Sequence, residues 1–154
     1  MFLSPCFCAR LKCSAKEPVP YCKEALRQDL TRVRIAWEDC QMNRNRNAIY
    51  GYLSAVFDLV MWWAAEDRPI TRARWTLRLQ GADSPTTDEP FAAIILCTAD
   101  PKKVDKRTRS KWSRVLRYAA EYKPTAEPLA AFVQQRGGIN KCAERFTRCP
   151  VRGA

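Results

Sequence analysis

From Ala48 to Glu66 apolar side chains run almost without interruption, and this stretch constrains the fold more than any other. At about 100° per residue, Ile49, Leu53, Val56, Val60 and Trp63 fall within one narrow arc of a helix, and Tyr52, Phe57 and Leu59 widen it on both flanks. Only Gly51, Ser54 and Asp58 mark a clearly polar side. A helix apolar over so much of its circumference must be covered by other elements, so it is expected at the centre of a helical packing. Met61 and Trp62 fall toward the polar side, where another helix or a partner subunit would cover them.

The flanking sequence supplies the covering helices. Leu26, Leu30, Val33, Trp37 and Cys40 follow i, i+4, i+7, i+11, i+14 spacing, one stripe of a helix about 20 residues long. The run Asn43-Arg44-Asn45-Arg46-Asn47 breaks it, and one of its asparagines is expected to cap the central helix. Residues 70–80 alternate Ala73, Trp75, Leu77 and Leu79 with Arg72, Arg74, Thr76 and Arg78, a strand period. An isolated strand would be marginal, so a short helix after Pro69 is the better expectation. Gly81 to Glu89 is a polar loop; Pro90 suits a first helical turn and opens Phe91–Cys97, where periodicity does not separate helix from buried strand. Asp105 can cap a helix running to about Tyr122, Thr125 a shorter one ending at Gly137-Gly138, and a last helix spans Asn140 to Arg148. The expectation is an all-α fold: a single small helical domain of about five to six helices. An irregular, proline-containing arm (1–20) precedes a helical core (21–100) and a basic helical C-terminal region (101–154).

Charge singles out that last region. Of the formal net charge of +11, residues 1–100 supply thirteen Lys/Arg against twelve Asp/Glu, and residues 101–154 fourteen against four. A solubilising surface usually mixes both signs; an excess confined to one region reads instead as a footprint for a polyanion. Within it, Val104, Thr108, Trp112, Val115, Leu116 and Ala119 share one helical face. Lys106, Arg107, Ser110, Arg114 and Arg117 lie opposite, Lys103 is in line before the start, and Arg109 and Lys111 sit at the borders. From Lys102 to Arg117 there are eight basic side chains and one acid. Like charges at i, i+4 destabilise a helix by a few tenths of a kcal/mol per pair. Phosphates would relieve that repulsion and release condensed counterions, and serine among arginines suits phosphate contact. Nucleic acid, DNA before RNA, is therefore the expected partner, with these eight residues from Lys103 to Arg117 as its binding set. A homodimer through the 22–66 hairpin is a further expectation. An acidic protein partner, or a place in a nucleoprotein assembly, is the alternative use of the same surface.

Two resemblances accompany this reading. Leu129 to Phe146, with Gly137-Gly138 before the small pair Cys142-Ala143, resembles the opening of the helix-turn-helix in LysR-type and Fis-type regulators, without a following recognition helix. A plain helical hairpin with a glycine cap reads the same residues more simply. The run Lys106-Arg-Thr-Arg-Ser-Lys-Trp-Ser-Arg-Val-Leu-Arg-Tyr118 and the tail Gly137-Gly-Ile-Asn-Lys-Cys-Ala143 are similar to a family of short, basic, uncharacterised bacterial proteins. That likeness implies a bacterial cytoplasmic origin and carries no activity.

Enzyme chemistry finds little support. The chain has no histidine, which removes histidine-dependent triads, dyads and zinc hydrolysis. There is no Walker or GxGxxG loop, and no cofactor is expected. Glu121-Tyr122-Lys123 has the E-x-K form of metal-dependent nucleases, but closes an expected helix where such sites use adjacent strands. Cys6-x-Cys8-x4-Cys13-x8-Cys22 has four thiols and a C-x-C-x4-C spacing that resembles the zinc tail after SET methyltransferase domains. Nothing else in the chain resembles that domain and C-x2-C pairs are absent, so free thiols are expected. Lacking a charged region ahead of its short N-terminal apolar patch, or about 20 apolar residues in a row, the chain is expected to be cytoplasmic, without a membrane partner.

Overall fold

The computed structural model describes residues 19–66, 68–81 and 89–148, with side chains from Lys23 onward. The fold is all-α: seven helices and no strand among the described residues, one or two helices more than the spacing suggested. They are α1 (Val19–Met42), α2 (Ala48–Ala65), α3 (Pro69–Leu79), α4 (Pro90–Thr98), α5 (Lys106–Tyr122), α6 (Leu129–Gln135) and α7 (Ile139–Arg148). The expected arm and the four-cysteine run lie outside the described residues, save that the α1 backbone already begins at Val19.

Helix α2 is the centre, as its composition required. Tyr52, Leu53, Val56, Phe57, Leu59, Val60 and Trp63 are buried, and α1, α3, α4, α5 and α6 all pack against it. It is also the one helix among the described residues long and apolar enough to cross a bilayer, contrary to expectation; burial of those seven residues in the core accounts for the same composition. Helix α1 returns alongside it on Leu26, Leu30, Val33 and Trp37, the expected stripe, with Cys40 half-buried at its end. A polar bond ties this hairpin: the Trp63 indole N–H donates to the buried Asp29 carboxylate at 3.3 Å. Met61 is exposed, whereas Trp62 packs against the core.

The asparagine run joins α1 to α2 by a different device from a simple cap. Asn43 Oδ1 accepts from the Asn45 N–H and Asn45 Oδ1 from the Asn47 N–H, both at 3.0 Å, while Asn47 stands at the N-cap without a side-chain bond. These are two successive Asx turns, in which the side chain imitates a backbone turn.

Both ambiguous segments are helical. In α3 the buried positions are Ala73, Thr76 and Leu77, an i, i+3, i+4 set that a strand could not bury on one side. An Arg72–Glu66 ion pair ties its first turn to the end of α2. In α4 Glu89 caps the helix, accepting from the Phe91 and Ala92 N–H groups at 3.0 and 2.7 Å, and Pro90 occupies the first turn. Phe91 then stacks on Phe57 of α2, ring centroids 6.0 Å apart.

The basic third shares this core. Trp112 of α5 meets Trp37 of α1 and Tyr52 of α2 edge to face, with centroids 6.2 and 5.9 Å apart, and Trp37 and Tyr52 meet each other at 5.0 Å. Thr125 does not cap α6; Pro128 holds that position and the helix begins at Leu129. The Lys123 ammonium fixes the preceding loop by donating to the carbonyls of Pro124 and Glu127 at 3.0 and 2.7 Å. Helix α6 ends as its two glycines required: the Gly138 N–H donates to Val133 O at 2.9 Å and the Gly137 N–H to Gln134 O at 3.2 Å. Both glycines have positive φ, and the paired bonds form a Schellman motif. This turn lays α7 against α5, the most extensive helix–helix contact in the fold.

Candidate nucleic-acid interface

Asp105 starts the basic helix as expected, accepting from the Thr108 N–H at 2.8 Å. That hydrogen bonding, with the nearby positive charges of Arg107 and Lys111, holds its carboxyl below the usual carboxylate range. The inward face also follows the sequence: Val104, Trp112, Val115, Leu116 and Ala119 are buried and Thr108 is half-buried. Ser113 and Tyr118 join them, neither foreseen. The Ser113 hydroxyl donates at 2.5 Å to Glu89, so one carboxylate caps α4 and fastens α5 to it.

On the outward side Lys103, Lys106, Arg107, Ser110 and Arg117 are exposed, and Arg109, Lys111 and Arg114 are half-buried. Arg109 Nη1 is out of contact with solvent and has no hydrogen-bond partner among the described residues. The outward face is exposed at Arg117 and half-covered at Arg114, and α7 lies against both. Arg114 Nη1 donates to Thr147 Oγ1 at 2.9 Å, and the Arg117 guanidinium sits 4.7 Å from the Phe146 ring centroid. The open part of the face is therefore its N-terminal half and the preceding turn, Lys102 to Ser110. Beside that turn lies a groove of about 630 Å³, rimmed by Lys102 and Lys103 and floored by Trp37, Ile49, Thr108 and Trp112.

The electrostatics of this side are one-signed. None of the eight cations from Lys102 to Arg117 makes an ion pair among the described residues, and Asp105, the one acid, is spent on its cap. Helix α7 adds exposed Lys141, Arg145 and Arg148, which the sequence reading did not place in the site. Glu144 partly neutralises them, pairing with Arg148 at 2.5 Å and Lys141 at 3.8 Å. The signal for α7 lay in Cys142, Ala143 and Phe146, whose burial on one side leaves its cations outward. Which helix that buried side would meet is a tertiary fact that spacing does not carry.

The remaining chemistry is sparse. In the E-x-K triplet Glu121 is exposed at the end of α5 and the Lys123 ammonium donates to two carbonyls. No group of three potential metal-ligating side chains occurs among the described residues. Burial raises the thiol pKa of Cys40, Cys97 and Cys142, that of Cys97 to about 11, the reverse of what a nucleophilic cysteine requires. Compared with protein families, with curated proteins and with solved structures, the chain matches none.

Proposed function

We propose that this chain is a nucleic-acid-binding accessory protein that lays the N-terminal half of α5 and its preceding turn along a phosphate backbone. One observation carries the reading: eight cations lie within sixteen residues, and none has a carboxylate partner among the described residues. Elsewhere some exposed cations are paired, Lys141 and Arg148 with Glu144 on α7 and Arg27 with Glu24 on α1. The unpaired cluster raises the local potential, and counterion release on meeting phosphate favours binding without base-specific contact. A rigid helix docked on a core keeps the charges in register at little entropic cost. DNA is favoured over RNA because a helix presenting arginines matches the width of the major groove of B-form DNA.

The experiment is an electrophoretic shift on duplex DNA, single-stranded DNA and RNA at two salt concentrations, comparing the natural chain with Lys103→Glu/Lys106→Glu/Arg107→Glu. These three side chains are exposed and make no side-chain hydrogen bond or ion pair among the described residues. The expected result is a shift that weakens with salt and vanishes in the variant. A shift unaffected by the variant refutes the basic face. No shift at all, together with capture of one acidic protein, transfers the surface to protein recognition.

A further inference from the structure

Arg114 and Arg117 differ from the other cations of α5 in being held. The Thr147 hydroxyl has a single proton and donates it to Ala143 O at 3.0 Å, so toward Arg114 it acts only as acceptor, fixing the guanidinium at 2.9 Å. Arg114 Nε reaches Ser110 O at 3.4 Å. Two of the five N–H groups are thereby used and three remain, with no carboxylate to take them among the described residues. One turn along, the Arg117 guanidinium carbon lies over the face of the buried Phe146 ring, 4.7 Å from its centroid. Arg117 makes no hydrogen bond among the described residues, so its N–H groups are open to phosphate oxygens. Both contacts come from α7, whose path the Gly137-Gly138 turn fixes.

We propose that the seam between α5 and α7 is a phosphate clamp, in which Arg114 and Arg117 grip one backbone phosphodiester and Thr147 and Phe146 are positioning residues. The proposal rests on the nucleic-acid reading above and adds a defined site to it. A phosphodiester suits two fixed guanidiniums because each presents a planar fork to tetrahedral oxygens, whereas the loose lysines of the open face act as point charges. Arg145, the α7 cation without an ion pair among the described residues, extends the same positive field from the other wall.

The test compares Thr147→Val, Thr147→Ser, Arg114→Gln and Lys106→Gln/Arg107→Gln in salt-dependent binding to a duplex oligonucleotide. Thr147→Val keeps every charge and removes the hydroxyl, the acceptor for Arg114, together with its own bond to Ala143 O within α7. It should weaken binding about three- to tenfold, the scale of leaving one long side chain to be ordered on binding, without changing the salt slope. Thr147→Ser should restore affinity. Arg114→Gln should weaken binding and also reduce the slope by about 0.9, one phosphate's share. Thr147→Val binding like the natural chain, or Arg114→Gln leaving the slope unchanged, overturns the clamp. If Lys106→Gln/Arg107→Gln weakens binding while neither of those variants does, the clamp alone falls. If the natural chain binds no oligonucleotide, the broader reading falls with it. Inorganic phosphate at matched ionic strength is the control: competition that disappears in Arg114→Gln would make the free ion the ligand in place of the backbone.

Discussion

Removing the hydroxyl of Thr98 should destabilise the protein more than removing that of Tyr52, although the two share one hydrogen bond. The oxygens are 2.7 Å apart, with Tyr52 fully buried and Thr98 nearly so. Thr98 Oγ1 also lies 2.7 Å from Ile94 O, a carbonyl that only accepts. The single threonine proton therefore goes to Ile94, and Tyr52 must be the donor to Thr98. Tyr52→Phe removes a donor and leaves Thr98 its bond to Ile94, so the loss is about 1 kcal/mol, the net worth of one hydrogen bond. Thr98→Val leaves the Tyr52 O–H buried without an acceptor and should cost about 1–3 kcal/mol. The double variant leaves no orphaned group and should be more stable than Thr98→Val alone. Urea unfolding followed by circular dichroism reads these differences; with a slope of about 2 kcal/mol/M, a 2 kcal/mol loss moves the midpoint by about 1 M. Strictly additive losses, or Tyr52→Phe as the worse single change, would contradict this proton assignment.

Three other outcomes follow from the geometry. Gly137→Ala should destabilise by about 1 kcal/mol or more, because φ is +96° and a Cβ would lie 3.0 Å from Lys141 Cγ; hydrogen exchange should rise in α7, and unchanged protection would contradict it. Asp105, with its carboxyl held low in the folded state, contributes stability that is present above the ordinary carboxylate pKa and lost as pH falls through its depressed value. Asp105→Asn should therefore flatten the acid limb of the stability–pH curve, and an unaltered limb argues against the cap. Cys97, with a thiol pKa near 11, should alkylate slowly at about pH 8 and faster as pH rises, measured by mass spectrometry; labelling at the rate of free cysteine would show that it is not shielded.

The parts of the fold that the sequence reveals are those decided locally. Helix α2 is legible because its apolar circumference admits only a central position, and α5 because Asp105 and the Val104–Ala119 stripe lie within its own turn and period. What stays hidden is decided at a distance. Residues 91–97 are ambiguous until Glu89 is seen capping them while bonded to Ser113, 24 positions away. Thr125 looks like a cap because composition does not show Lys123 reaching across to Glu127 O. The site divides in the same way. The exposed cations of α5 follow from its wheel, whereas the contact of half-buried Arg114 with Thr147, 33 residues on, depends on where the Gly137-Gly138 turn sends α7.

The basic face is tested most directly by the salt dependence of binding to a duplex oligonucleotide. With four to five of Lys103, Lys106, Arg107, Arg114 and Arg117 on phosphates, log affinity should fall against log salt with a slope of about −4. Between about 50 and 200 mM salt that is a loss of about 250-fold. A slope near zero, or no binding in dilute buffer, would mean that these unpaired cations serve something other than nucleic acid.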